Sequence, residues 1–153
     1  MRVLARLALA ASLVVPAALS AQSPIIGTWN IEWELGRSIM NGESSAIQAK
    51  GTLKLEASGD SLLATVTTTS RSDGQPITRP SFTFGGRATA TGAVLTQISE
   101  ATLNMNGETR KQRSIGTWTL AISGAALTGE IKREIEGMMM DIPPAMVKGS
   151  RAN

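Results

Sequence analysis

The sequence predicts an all-β domain: an eight-stranded antiparallel up-and-down barrel assembled from two four-strand pseudo-repeats. Three observations carry that reading. Apolar and polar residues alternate along nearly the whole chain, which is the period of a half-buried strand. Turn dipeptides of hairpin type fall between the alternating runs. The block Met40-Asn41-Gly42-Glu43 returns 65 positions later as Met105-Asn106-Gly107-Glu108, and 10 of the 27 residues in 40–66 recur in 105–131. Self-similarity at a fixed spacing marks a repeated structural unit.

Residues 1–21 read as a secretory signal peptide and stand apart from the domain. Arg2 and Arg6 form a positive start, Leu7 to Val15 an apolar centre, and Ala17-Ala18-Leu19-Ser20-Ala21 a small-residue cleavage stretch. Cleavage is expected after Ala21, with Ser20 the neighbouring alternative. The apolar centre falls short of the roughly 20 residues that span a bilayer, and no Cys lies near the cut to carry a lipid anchor. The expectation is a single domain over 22–153, exported to a periplasmic or extracellular compartment, soluble and not a lipoprotein.

In chain order, Trp29, Ile31, Trp33 and Leu35 alternate with Asn30, Glu32 and Glu34 to make the first strand. Asn41-Gly42 then supplies the two positive-φ positions that a tight hairpin needs. Leu53 and Leu55 alternate with Lys54 and Glu56, and Leu62, Ala64 and Val66 follow the Ser58-Gly59-Asp60 turn. A longer loop over 70–80 leads into the strand of Phe82 and Phe84. The second half repeats the plan with Trp118, Leu120 and Ile122, the Ser123-Gly124-Ala125 turn, then Leu127, Ile131 and Ile135, and a loop over 137–144. Carrying the 65-residue spacing back to the first strand pairs Trp29 and Trp33 with Val94 and Ile98 and places both of the latter inside. Gly85, Arg87 and Ala88 match Gly149, Arg151 and Ala152 after a one-residue gap. Eight antiparallel strands in sequence order suit a closed barrel, which leaves no unpaired edge.

The residues Gly27-Thr28-Trp29 resemble the Gly-x-Trp motif opening the first strand of lipocalin-like (calycin) barrels, and Gly116-Thr117-Trp118 with Leu127-Thr128-Gly129 is similar to strand patterns of that group. The resemblance implies a Trp packed at the closed end with a basic residue of the last strand across it, here Trp29 and Arg151. The chain has no disulfide and few aromatic residues, so no particular lipocalin ligand follows.

Composition narrows the chemistry. The chain contains neither His nor Cys, which removes the commonest general base, the thiol nucleophile and the preferred zinc and copper ligands. No metal site and no cofactor are expected, and no enzymatic activity. Glu32 and Glu34 sit two apart on one strand, opposite the face of Trp29, Ile31 and Trp33, and read as solvated. Beyond the signal segment 13 basic residues face 12 acidic ones, a net of +1. With no Tyr and only the short basic cluster Arg110, Lys111 and Arg113, nucleic-acid binding is not expected. Outward Glu32, Lys54, Glu130 and Lys132 argue against a membrane-spanning barrel.

Binding is the remaining class. A barrel of eight strands is either filled by its own side chains or leaves room for one small ligand. The lining residues read from the register are Trp33, Phe82, Phe84, Trp118 and Arg133, with Met139 in the adaptable Met138-Met139-Met140 loop nearby. Arg133 falls on the apolar register of Leu127 and Ile131, so it is either a rim side chain snorkelling to water or an anchor for an anionic head group. The expected partner is a small hydrophobic or anionic amphipathic molecule in the barrel mouth. The alternative is a structural or protein-interaction barrel with a filled core.

Overall fold

The computed structural model describes residues 23–153 except 106 and 140, with 103 and 105 described by backbone alone. The segment read as a signal peptide lies outside the described residues. Eight strands follow one another: β1 (Gly27–Met40), β2 (Glu43–Ser58), β3 (Ser61–Arg71), β4 (Ser81–Ala88), β5 (Gly92–Met105), β6 (Glu108–Ser123), β7 (Ala126–Ile135) and β8 (Ala145–Arg151). Each pairs antiparallel with its sequence neighbours, and β8 pairs with β1 to close the barrel. At the levels where all eight strands pair, closure removes the sheet edges that an open eight-stranded sheet would expose.

The hairpin chemistry is what the dipeptides dictate. Met40 pairs with Glu43, and the two intervening residues, Asn41 and Gly42, take φ of 53° and 82°. Positive φ at both positions matches the right-handed twist of the flanking strands. In the second half Met105 pairs with Glu108 and Gly107 has φ of 83°.

The repeat is visible in the backbone. The β3–β4 and β7–β8 loops open with equivalent hydrogen bonds, Ser72 N–H donating to Gln48 O at 2.8 Å and Glu136 N–H to Arg113 O at 2.9 Å. In each half the fourth strand is the short one, β4 with 8 residues and β8 with 7. Hence β5 pairs with β4 only over Ala93–Thr96, and β1 with β8 only over Trp29–Trp33. Beyond those levels the β1–β2 and β5–β6 hairpins run on and flank an open mouth.

One expectation is corrected. Val94 and Ile98 lie on the outer face, 39% and 53% exposed, while Ala93 and Leu95 are buried. The cause is a β-bulge in β1: Glu34 pairs with Gln48 but Gly36 with Ile47, leaving Leu35 as an extra residue. The β5–β6 ladder runs without such a shift. Ahead of the bulge the true spacing is therefore 66, so Trp29, Ile31 and Trp33 correspond to Leu95, Gln97 and Ser99. A slip of one residue exchanges the faces of a strand.

The core sits below the mouth, in the half of the barrel where all eight strands pair. Trp29, Leu53, Leu55, Leu95, Leu127 and Val147 are fully buried, and Ile25 caps the closed end. Burial at about 25 cal/mol per Å² of apolar surface drives this packing, with no disulfide to assist it.

Candidate functional site at the barrel mouth

Four of the residues singled out in the sequence meet inside the barrel. Phe82 and Phe84 stack with ring centroids 5.7 Å apart, Phe84 meets Trp118 at 5.3 Å, and Trp118 meets Trp33 at 6.4 Å. They come from β1, β4 and β6, and small neighbours admit them. Trp33 is paired with Ala49 and Phe84 with Ala64, both alanines fully buried. Offset and tilted ring pairs of this kind add about 0.5–1.5 kcal/mol each beyond their buried area. Trp33, Phe84 and Trp118 are buried and Phe82 is half-buried. Together they form an aromatic floor that occupies the interior at this level.

Above the floor the lining turns polar. Trp118 Nε1–H donates to Gln97 Oε1 at 3.2 Å, and the Ser99 and Ser114 hydroxyls are hydrogen-bonded at 2.6 Å. Gln97, Ser99 and Ser114 escaped the sequence reading. Their signal was the alternation Leu95-Gln97-Ser99, hidden by the wrong register for β5.

Arg133 projects from β7 into the mouth on the inward register of Ile131. Its Nη2 donates to the Glu34 carbonyl at 2.9 Å, joining β7 to β1 where β8 no longer lies between them. Burial pushes the guanidinium pKa down, and the nearby Glu34 carboxylate opposes that shift. No carboxylate lies within ion-pair distance of Arg133 among the described residues. The Glu34 carboxylate is engaged with Arg37 at 3.3 Å. A half-buried cation in contact with a single backbone carbonyl keeps most of its five N–H donors for another acceptor. Directly beside it in the ladder is Gly116, where an added Cβ would make only ordinary contacts at 3.8 Å. At this ladder position β6 therefore sets no side chain beside Arg133.

Met139 stands apart from this group. It is fully exposed in the β7–β8 loop and takes no part in the aromatic cluster, and Met140 lies outside the described residues.

Trp29 and Arg151 occupy the opposite, closed end. The Arg151 guanidinium carbon lies 4.4 Å from the Trp29 ring centroid. Its Nη1 donates to Ile26 O at 3.2 Å and its Nη2 to Pro24 O, while Trp29 Nε1–H donates to Ile25 O at 2.8 Å. The chain entering the barrel is thereby tied to the chain leaving it. The Cβ of any residue replacing Gly27 would meet the guanidinium at 2.7 Å, and Gly27 has φ of 133°, so both space and conformation call for glycine there.

A cleft of about 430 Å³ also opens on the outer wall, where Glu32 lies 4.0 Å from Lys50 and 3.9 Å from Lys148. Those side chains are solvated, and exposed pairs of this type contribute about 0–1 kcal/mol.

The chain matches no family model, no curated protein and no solved structure. What stands is the architecture. It is a closed eight-stranded antiparallel barrel, as lipocalin-like proteins have. Among the described residues no helix is long and apolar enough to cross a membrane, a statement that leaves β-barrels aside.

Proposed function

We propose that this protein is an exported, non-enzymatic barrel of lipocalin-like type that binds a small anionic amphipathic molecule at its mouth. The observation that carries the reading is Arg133. It is an inward cation with no carboxylate partner among the described residues, set opposite Gly116 in the ladder and on the register leading to the Trp118 level. An anion there would accept the spare guanidinium donors, and charge-assisted bonds of that kind are about twice as strong as neutral ones. The apolar part of the ligand would lie against the rim and the aromatic floor. Because Trp33, Phe84 and Trp118 fill the interior, the ligand seats above them and does not enter a deep chamber.

The test compares a medium-chain fatty carboxylate with the alcohol of equal length, using calorimetry and native mass spectrometry on the wild-type chain and on Arg133→Gln. Preferential binding of the carboxylate, reduced about tenfold or more in the variant, supports the reading. Equal affinity for the two compounds, or no binding by either, overturns it.

A second reading rests on the same aromatic contact. With the interior occupied by Trp33, Phe84 and Trp118, the barrel can serve as a rigid structural or protein-interaction module whose function lies on its hairpins and loops. An empty mouth in the experiment above favours it.

A further inference from the structure

The second half of the barrel leaves a strand edge open that the first half protects. Past Thr96, β5 has no ladder partner on the β4 side, although it continues to Met105. The two-residue hairpin fixes which backbone groups face that side. Pairs flanking such a turn are alternately hydrogen-bonded and non-bonded, beginning with a bonded pair at Met105 and Glu108. The N–H and C=O groups of Ile98, Glu100, Thr102 and Asn104 therefore point away from β6, toward the free edge. None of them makes a backbone hydrogen bond to a loop among the described residues.

Sheet edges are ordinarily blunted by bulges, prolines, inward charges or basic side chains. The equivalent edge on β1 has the Leu35 bulge, Arg37, and the Arg133 side chain bonded to Glu34 O. The β5 edge from Gln97 to Asn104 has no Pro, no Lys or Arg, and no bulge. An extended strand is the protein partner that matches alternating donors and acceptors along such an edge.

We infer that this edge pairs antiparallel with the β5 edge of a second copy of this chain, about a two-fold axis at Ala101. The register follows from the free groups. Centred on Ala101, Ile98 pairs with Asn104 and Glu100 with Thr102 of the second copy, so all four residues bond in each copy, giving up to about eight hydrogen bonds. Centring on residue 100 would set Glu100 against itself, and like charges directly opposite are destabilising. Centring on residue 102 leaves Ile98 unpaired. In the favoured register each Glu100 has Arg113 of its own β6 on one side, its ladder partner. On the other side it faces Thr102 of the second copy, with Lys111 of that copy one strand further on. Each Glu100 thus has a basic residue to either side, its own Arg113 and, beyond Thr102, the lysine of the second copy. The interface is isologous, as a two-fold pair requires.

The chain has no cysteine, which makes the test direct. Ala101→Cys puts two thiols opposite each other at the axis, where Cα atoms of a non-bonded antiparallel pair lie about 4.5 Å apart and a disulfide fits. Ala46→Cys, exposed on the β1–β2 hairpin, is the control. Mild oxidation should cross-link Ala101→Cys at least about tenfold faster than Ala46→Cys. Sedimentation equilibrium of the wild-type chain should show a monomer–dimer equilibrium. Thr102→Pro deletes an edge N–H without touching the β6 ladder and should shift that equilibrium toward monomer by about tenfold or more. Equal cross-linking of the two cysteine variants, or a wild-type chain that stays monomeric across the concentration range, overturns the inference. That holds also if the edge is taken by a strand of another protein. Should Thr102→Pro fail to fold by circular dichroism, the cross-linking comparison decides alone.

Discussion

Trp33 of β1 and Trp118 of β6 meet inside the barrel, ring centroids 6.4 Å apart and planes tilted by 50°. The contact joins the two halves of the repeat through side chains that the repeat itself does not conserve. Trp33 corresponds to Ser99, and Trp118 to Leu53. The two substitutions away from symmetry compensate each other, one large residue in each half sharing one space. Removing either should leave a cavity that alanines such as Ala49 do not fill. Trp118→Ala is expected to cost about 3–5 kcal/mol in urea denaturation and Trp118→Phe markedly less.

At the closed end, Arg151 combines a cation–π contact with hydrogen bonds to two backbone carbonyls. A lysine keeps the charge but lacks the planar fork that reaches both carbonyls. Arg151→Lys should therefore recover only part of the stability lost in Arg151→Ala. That loss is expected to be about 1–2 kcal/mol, discounted because Arg151 is exposed. Thermal unfolding of the three proteins checks the order; a Lys variant as stable as the wild type would show that the fork contributes nothing.

Gly51 and Gly116 are repeat counterparts with opposite surroundings. A Cβ at Gly51 would run into the backbone carbonyl of Thr67, where β3 carries an extra residue, Thr69. At Gly116 it would make ordinary contacts. Gly51→Ala is expected to destabilise by about 1–3 kcal/mol, while Gly116→Ala should be neutral or slightly stabilising through the unfolded state. Denaturation midpoints with unchanged m-values would confirm both.

The start of the β3–β4 loop has an acid-sensitive clasp. Arg71 bonds both carboxylate oxygens of Asp73, at 3.0 and 2.6 Å. That bond, with a smaller contribution from the Gln75 N–H, holds the Asp73 pKa below its ordinary value. A folded pKa below the unfolded one adds stability that is complete above the unfolded value, about 3.9 for Asp. It is lost as pH falls through the lower folded value. NMR titration should place the Asp73 midpoint below the ordinary Asp value, and Asp73→Asn should lose the added stability at neutral pH and with it the acid-dependent step. A midpoint at the ordinary value would contradict the clasp.

Much of this architecture was legible because hairpin barrels are written locally. Alternation named the inward faces of β1, β2, β3, β6 and β7, and Asn41-Gly42 and Ser58-Gly59 marked the returns. The aromatic floor followed from the same parity at Trp33, Phe82, Phe84 and Trp118. What failed was the register of β5, because a bulge leaves no composition signal. Leu35 extends the alternation of β1 as if nothing had happened, and the extra residue shows only when Gly36 pairs with Ile47. The polar rim of Gln97, Ser99 and Ser114 was lost with it. The contact of Arg133 with Glu34 O was equally hidden, since it joins residues 99 positions apart through a gap created by the shortness of β8.

The three tryptophans supply the most direct test of a ligand seated over a filled core. Each indole N–H gives a separate NMR signal, and two have assigned acceptors at opposite ends: Trp118 bonds Gln97 below the mouth and Trp29 bonds Ile25 at the closed end. On titration with a medium-chain carboxylate, the Trp118 and Trp33 signals should shift saturably while Trp29 stays fixed, and Arg133→Gln should weaken the response. A shift at Trp29, or none at Trp33 and Trp118, would contradict binding at the mouth.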